Sequence, residues 1–499
     1  MTERLLAGAA LLGEGPDPNW VDHFSSFILS QDYDTAREVL RGAVSKGVSS
    51  SLAEQYAKVL EDFLQKRDEV EHPIILARHD QCIVRQTANQ GRGLFAPSYQ
   101  TWGAELWKQR PLACIQSGVS RRCVQVCRAC LLPVGTLASQ LRYLGLDAPP
   151  GSEEIRLTNG DQLSQEHLPK EGFVAGQVLP CTGDACAEVF CSEACRAWAL
   201  SESSHALLCA GRLAPSSFEA LQSLEQLADD VDQEHLLLLA HTVAQMILAR
   251  KDGFETSQVK HRFAYQFASA PWSSLADTAE DAQARDQWFA QACEFLGQIF
   301  PAESEFLEPN LLSGLLGTFE LVNMCVSIPH PLNLQPEVAD ILSVELAESL
   351  AKLQEALQES DSEAEDEDEG AGEAEAAATQ APLDLAASGQ LFENVIGTAL
   401  CEALAFTNHS CLPNCRVEFA SGSQFEANGP GLWLYCVSRR PLVPGDEVLM
   451  AYVPSVVGKP LEERQKKMKK FGFACNCRTC QTDQVLEAEG MPSSDRKKK

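Results

Sequence analysis

Residues 401–415 read CEALAFTNHSCLPNC, which sets Asn408, His409, Cys411 and Asn414 close together; GDEVLMAYV follows at 445–453 and FACNCRTC at 473–480. The last of these holds Cys475, Cys477 and Cys480, three soft ligands at spacings short enough to share one ion, and a closed tetrahedral zinc site takes four. The candidate for the fourth is Cys411. A catalytic thiol at Cys411 is the competing reading, and it is weak because only the adjacent His409 could activate it.

Working upstream, Cys127-x-x-Cys130, Cys181-x4-Cys186, Cys191-x3-Cys195 and His205-x3-Cys209 make four closely spaced pairs of soft donors. Eight such ligands are the number two tetrahedral zinc ions need. Thiolate and imidazole suit zinc, each short spacer can aim two side chains at one ion, and a small module with little core needs such staples. Incidental buried cysteines would scatter as small hydrophobes rather than fall into pairs. Cys123 is a spare. With 19 cysteines and no secretion signal recognised in MTERLLAGAALLGEGPDPNW (1–20), a reducing compartment and metal ligation are expected rather than disulfides.

The formal net charge is -30, and the run from Glu359 to Glu375 holds ten acidic and no basic residues, which leaves -20 elsewhere. Such a surface repels phosphate backbones and attracts lysine-rich protein segments, so direct nucleic-acid binding is not expected. The most apolar run, Leu236 to Leu248, is broken by His241, Thr242 and Gln245 and is shorter than the roughly 18 uninterrupted apolar residues of a membrane span. No membrane segment is read.

At 499 residues the chain holds several domains at about 100–200 residues each. Apolar residues at helical intervals (Phe24, Phe27, Ile28, Val39, Leu40) predict a helical extension over 1–72. Short apolar segments punctuated by glycine and proline (PIILA, GLFA, PLACI) predict strands over 73–122, and the cysteine-rich module occupies 123–209. Leu-, Ala-, Gln- and Glu-rich sequence predicts a helical stretch over 210–358. Residues 359–390 bury too little apolar area to offset ordering entropy and are expected to be a disordered acidic linker. In 391–455 strand character returns: GLWLYCVSRR and DEVLMAYV predict two strands joined through a turn at Pro444-Gly445-Asp446. The cysteine segment 456–481 and a basic polar tail 482–499 complete the chain.

These motifs together resemble the SET and MYND domain family of protein-lysine methyltransferases. NHSCLPN is similar to the SET signature, FCSEAC followed by SSHALLC is similar to the MYND zinc finger, and the order of segments over about residues 73–481 matches. LLGTFEL (315–321) and the helical extension look most like the plant Trithorax-related SET-MYND histone-lysine methyltransferases. The implied fold is α+β: a split SET β-fold with knot-like C-terminal threading, an inserted MYND zinc module, a helical insert and a cysteine-rich post-SET segment. The implied activity is transfer of a methyl group from S-adenosylmethionine to a lysine amine, with histones as the expected substrate, in chromatin regulation, in the nucleus or the cytoplasm or both. The alternative is a non-catalytic adaptor that binds peptides, often proline-containing, through its MYND module.

The resemblance assigns residues as well. The interleaved MYND topology implies Cys127, Cys130, Cys191 and Cys195 around one zinc and Cys181, Cys186, His205 and Cys209 around a second, although four residues between Cys181 and Cys186 are more than the family usually carries. Cys411 joins Cys475, Cys477 and Cys480 around a third; all three ions are structural. Tyr452 matches the catalytic tyrosine. The implied donor contacts are Gly91, Arg92 and Gly93 in NQGRGLFA, Asn323 in GTFELVNM, Asn408, His409, Tyr452 and Phe473. Phe471 and Phe473 match aromatics over the adenine or along the lysine channel, and Asn414 supports the chain crossing. Two departures stand out: Cys401 replaces an aromatic, and Val453 and Pro454 follow the tyrosine where many relatives carry an acidic residue.

Overall fold

The computed structural model describes residues 19–29, 33–71, 75–79, 81–86, 91–155, 157, 178–334, 338, 341–342, 346–353, 391–421, 429–469 and 471–488. The acidic linker expected at 359–390, the first eighteen residues and the terminal lysines lie outside the described residues. Helices and strands are mixed, as an α+β reading requires. The helices are α1 Trp20–Leu29, α2 Tyr33–Ser45, α3 Ser50–Glu71, α4 Gly118–Cys123, α5 Leu137–Tyr143, α6 Glu193–Ser201, α7 His205–Leu208, α8 Pro215–Asp230, α9 Glu234–Lys251, α10 Thr256–Lys260, α11 Ala279–Ile299, α12 Pro309–Val322, α13 Leu461–Lys469 and α14 Arg478–Ala488. The strands are β1 Ile75–His79, β2 Cys82–Gln86, β3 Arg92–Phe95, β4 Glu105–Gln109, β5 Ala113–Gln116, β6 Leu179–Pro180, β7 Val189–Phe190, β8 Met324–Ile328, β9 Val395–Leu400, β10 Asn408–His409, β11 Cys415–Ser421, β12 Leu432–Ser438 and β13 Leu449–Met450.

Two compact units divide the chain, each assembled from stretches distant in sequence: residues 1–109, 403–418 and 434–499 form the first, and 110–402 with 419–433 the second. In the first, β1, β2 and β3 form an antiparallel meander, with Val84 opposite Leu94 and Gln86 opposite Arg92. β12 pairs antiparallel with β4, setting Tyr435 opposite Lys108. Of DEVLMAYV, only Leu449–Met450 is a strand. It pairs in parallel with β10 rather than with β12, so the expected turn at Pro444–Asp446 serves a crossing between segments and not a hairpin. Helices α1–α3 close their own core around Trp20, Phe24, Leu40, Tyr56, Leu60 and Leu64.

In the second unit β9 lies between β5 and β8, antiparallel to both. Residues 324–328 are therefore a strand inside the stretch expected to be helical, because MCVSI is a short apolar run that finds a partner edge on β9. The apolar run Leu236–Leu248 belongs to α9, which buries Leu236 to Ala244 without interruption. A helix enclosed on every side is apolar all round, which accounts for the run without a bilayer. Among the described residues no helix is long and apolar enough to cross a membrane.

The expected polar tail from 482 begins inside α14. Asp483 is tied there to Arg464 of α13 by an ion pair with both side chains buried, so the helix continues where composition alone suggested solvated chain.

Candidate functional site

Three groups of donors converge as the spacing and the resemblance anticipated. Cys127, Cys130, Cys191 and Cys195 form one, Cys181, Cys186, His205 and Cys209 a second, and Cys411, Cys475, Cys477 and Cys480 a third, with the ligand atoms of each set within 4.8 Å of one another. Each could hold a metal ion. The finer distances test the fit: a tetrahedron with zinc–sulfur bonds of about 2.3 Å has edges of about 3.8 Å between sulfurs. Cys130 and Cys191 are 3.7 Å apart, Cys181 and Cys209 3.7 Å, Cys411 and Cys475 3.8 Å, and Cys411 and Cys480 3.6 Å. Nε2 of His205 stands 3.4 Å from Cys181 Sγ and 3.9 Å from Cys186 Sγ.

Electrostatics point the same way. Burial pushes the Cys127 and Cys130 thiols up, while hydrogen bonds from Cys127 and Cys130 pull Cys195 down. In the third group the neighbouring thiols Cys475 and Cys477 push Cys411 up, whereas hydrogen bonds from Cys411 and Cys475 pull Cys477 down. Packed thiols cannot all ionise unless a cation compensates them, and a divalent ion inverts that balance. Burial also lowers His205 to about 3, which keeps its imidazole neutral and able to coordinate.

Second-unit residues that the sequence did not single out hold the module. Between Cys127 and Cys130, Arg128 reaches His241 of α9 at 3.1 Å and Glu188 at 3.6 Å, and Ser204 beside His205 lies 2.7 Å from His241 Nδ1. Arg110 sits over the rings of Trp198 and Trp433 at 5.0 and 4.9 Å. A lone arginine ahead of a cysteine cluster carries no sequence signal for either task.

Around Tyr452, in the first unit, the ring of His409 lies 5.4 Å away, that of Phe471 5.1 Å and that of Phe473 6.2 Å, the last edge-on. Phe473 remains 37% exposed, so one wall of this aromatic group meets solvent. Burial first, and the charge of Glu447 second, raise the Tyr452 phenol to about 12, which keeps it protonated near neutrality. His409 ties two motifs together: its Nδ1 accepts the backbone N–H of Tyr452 at 3.1 Å, and its Nε2 lies 3.4 Å from Cys411 Sγ. Both ring nitrogens of His409 are thus engaged by protein.

Asn408 Nδ2 donates to Glu447 Oε1 at 2.7 Å and to the Arg92 carbonyl at 3.1 Å, which joins β10 to the Gly91–Gly93 segment. A Cβ on Gly93 would stand 2.6 Å from Glu447 Oε1 and 3.2 Å from Asn408 Nδ2, so only glycine leaves the main chain that close to both. The Arg92 guanidinium turns onto the Phe406 ring at 4.9 Å. Asn414, buried, donates to the Glu447 carbonyl at 2.7 Å and accepts the Leu449 N–H at 2.8 Å, satisfying both of those backbone groups. Asn323 lies in the second unit, where its Nδ2 donates to Thr398 at 3.2 Å and its buried Oδ1 has no hydrogen-bond partner among the described residues. Glu447 is the residue sequence reading passed over: within GDEVLMAYV it looks like one more acidic turn residue.

With this geometry in place, the chain is similar to SET-MYND lysine methyltransferases. The histone-lysine N-methyltransferase ATXR2 of Arabidopsis thaliana is 26% identical over 356 residues, 66% of this chain and 67% of that protein. The histone-lysine N-methyltransferase SMYD3 of Mus musculus is 34% identical over 88 residues, 17% of this chain and 18% of its own. The SET domain and MYND-type zinc finger protein 6 of Schizosaccharomyces pombe is 28% identical over 92 residues, 18% of this chain and 17% of its own. The matches to the mouse and yeast proteins thus span under a fifth of those relatives. No protein-family model matches the chain.

Proposed function

We propose that the protein is an S-adenosylmethionine-dependent protein-lysine N-methyltransferase acting on histones or other lysine-rich proteins in the nucleus or cytoplasm. The observation that carries this reading is the protonated phenol of Tyr452 enclosed by His409, Phe471 and Phe473 directly beside the Asn408–His409 strand. Relatives named as histone-lysine methyltransferases support it. The sequence divisions at 73–122, 123–209, 210–358, 391–455 and 456–481 are on this view a SET fold interrupted by a MYND module and a helical insert, closed by knot-like threading at Asn414.

S-adenosylmethionine supplies an electrophilic methyl group on a sulfonium. The residues of the chain do the rest. Gly91, Arg92 and Gly93 would bring main chain close to the donor's amino-acid end, and Asn408 and His409 would hold the donor by backbone and amide groups, with Phe473 as a further contact. The rings around Tyr452 would shield an entering lysine on all but the Phe473 side and so disfavour its charged form, whose free pKa is about 10.4. The Tyr452 hydroxyl orients the resulting neutral amine toward the methyl, and reaction then depends on holding the two in line. The twelve Cys and His donors would bind three structural zincs, closed sites with no position left for a substrate. The MYND surface is then free for peptide partners.

Radiolabelled methyl transfer to histones and to a cell extract tests this. Tyr452→Phe is expected to lower kcat by about 100-fold or more. Equal incorporation by wild type and variant would remove the catalytic assignment.

A further inference from the structure

We propose that the N-terminal helices α1–α3 are an internal clamp on the turn that precedes Tyr452, and that Arg41 is a positioning residue for the transfer site; this rests on the methyltransferase reading above. The turn runs from Val443 to Asp446 and is gripped from two sides. On one side lie β3 and the residue that follows it: the Gly445 N–H donates to the Ala96 carbonyl at 2.8 Å, the Ala96 N–H to the Asp446 carbonyl at 2.9 Å, and the Val448 N–H to the Leu94 carbonyl at 2.7 Å.

On the other side lie the helices. Their hydrophobic core takes in Val443, four hundred residues away in sequence, as a full member. From α2, Arg37 Nη1 donates to the Gly445 carbonyl at 2.8 Å, and the Arg41 guanidinium engages both carboxylate oxygens of Asp446, through Nη2 and, at 3.4 Å, through Nε. The Asp446 side chain is only 4% exposed, and its Oδ2 also accepts the Val443 N–H at 3.1 Å, so the ion pair closes the turn upon itself. A fork-to-carboxylate pair of this kind fixes orientation as well as distance. Gly445 has φ +83°, and a Cβ there would meet Leu64 of α3 at 3.0 Å, so the helix packs on bare backbone.

What the turn holds explains why a clamp matters. Glu447 follows at once and anchors Asn408 by its side chain and Asn414 by its carbonyl. Leu449 and Met450 then pair with Asn408 and His409, and the Tyr452 N–H reaches His409. A displacement of Asp446 is therefore passed along a few bonds of chain to the donor-facing strand and the phenol. Small misplacements of that kind cost rate far more readily than they cost global stability.

The experiment uses the full chain with Arg41→Met and Arg41→Lys, comparing methyl-transfer kcat and KM, affinity for S-adenosylmethionine by calorimetry, zinc content, melting, and amide exchange over 443–452. Arg41→Met is expected to speed exchange in that stretch and lower kcat about tenfold, with KM for the protein substrate within about twofold and zinc retained. Arg41→Lys, which keeps the charge but not the fork, should fall between. Wild-type exchange and wild-type kcat in Arg41→Met would overturn the proposal; if that variant does not fold, wild-type values for Arg41→Lys overturn it equally. Should the wild-type protein transfer no methyl group, the methyltransferase reading fails, while exchange over 443–452 and donor affinity still decide the clamp.

Discussion

Tyr452 shows how a residue's surroundings set its chemistry. Its ring is packed against three others and its hydroxyl is held above the ordinary tyrosine range of 10, at about 12. Between those values the unfolded chain releases the phenolic proton and the folded chain does not, so this group's stabilising contribution is complete below pH 10 and is lost as pH rises toward 12. An ultraviolet difference titration of wild type against Tyr452→Phe should assign the missing phenolate to the upper end of that window. A phenolate appearing near pH 10 would mean that the ring is solvated. The neutral phenol also implies that any rise of turnover between pH 7 and 10 reports the substrate amine rather than this side chain.

At the scale of elements, strands too short to stand alone are made definite by what crosses them. β10 and β13 have two residues each, and Asn414 and Glu447 supply the bonds that such brief ladders lack. The C-terminal cysteine segment is similar: α13 and α14 meet through Arg464 and Asp483, while Met468, Val456 and Leu461 pack beside Cys411, Cys475 and Cys480. A zinc ion held by Cys411, Cys475, Cys477 and Cys480 would staple so small a core. Elemental analysis should find about three zincs per chain, and Cys411→Ser should remove one of them and raise the protease sensitivity of 456–488. Retention of all three would separate Cys411 from the site.

For the molecule as a whole, the charge of -30 sets the sign of its long-range field. A field of that sign draws in cationic segments and is screened over about 8 Å at physiological salt. KM for a lysine-rich peptide should therefore rise several-fold from low to high ionic strength while kcat stays nearly constant, and a salt-independent KM would show that charge plays no part in recognition. Buried imidazoles add an acid limit. Burial lowers His330 to about 3, and it stacks on Phe392 at 5.0 Å, so stability diminishes as pH drops from about 6.5 toward that value.

Spacing in the sequence was enough to pick out eleven of the twelve donors, because a metal site constrains residue type and local separation; Cys411, far from Cys475 in the chain, came only from the family resemblance. Helices α1–α3 and α8–α12 were legible for a related reason, since periodicity is local. The motif around Asn408 and the tyrosine that follows it likewise rest on a short stretch of residues. The partner of DEVLMAYV, the strand at Met324–Ile328, the helix running past Asp483 and the roles of Glu447, Arg41 and Asp446 were decided only in three dimensions. Each depends on a pairing between segments far apart in the chain, and the free energy of such a pairing comes from burial and hydrogen bonding that no window of sequence contains.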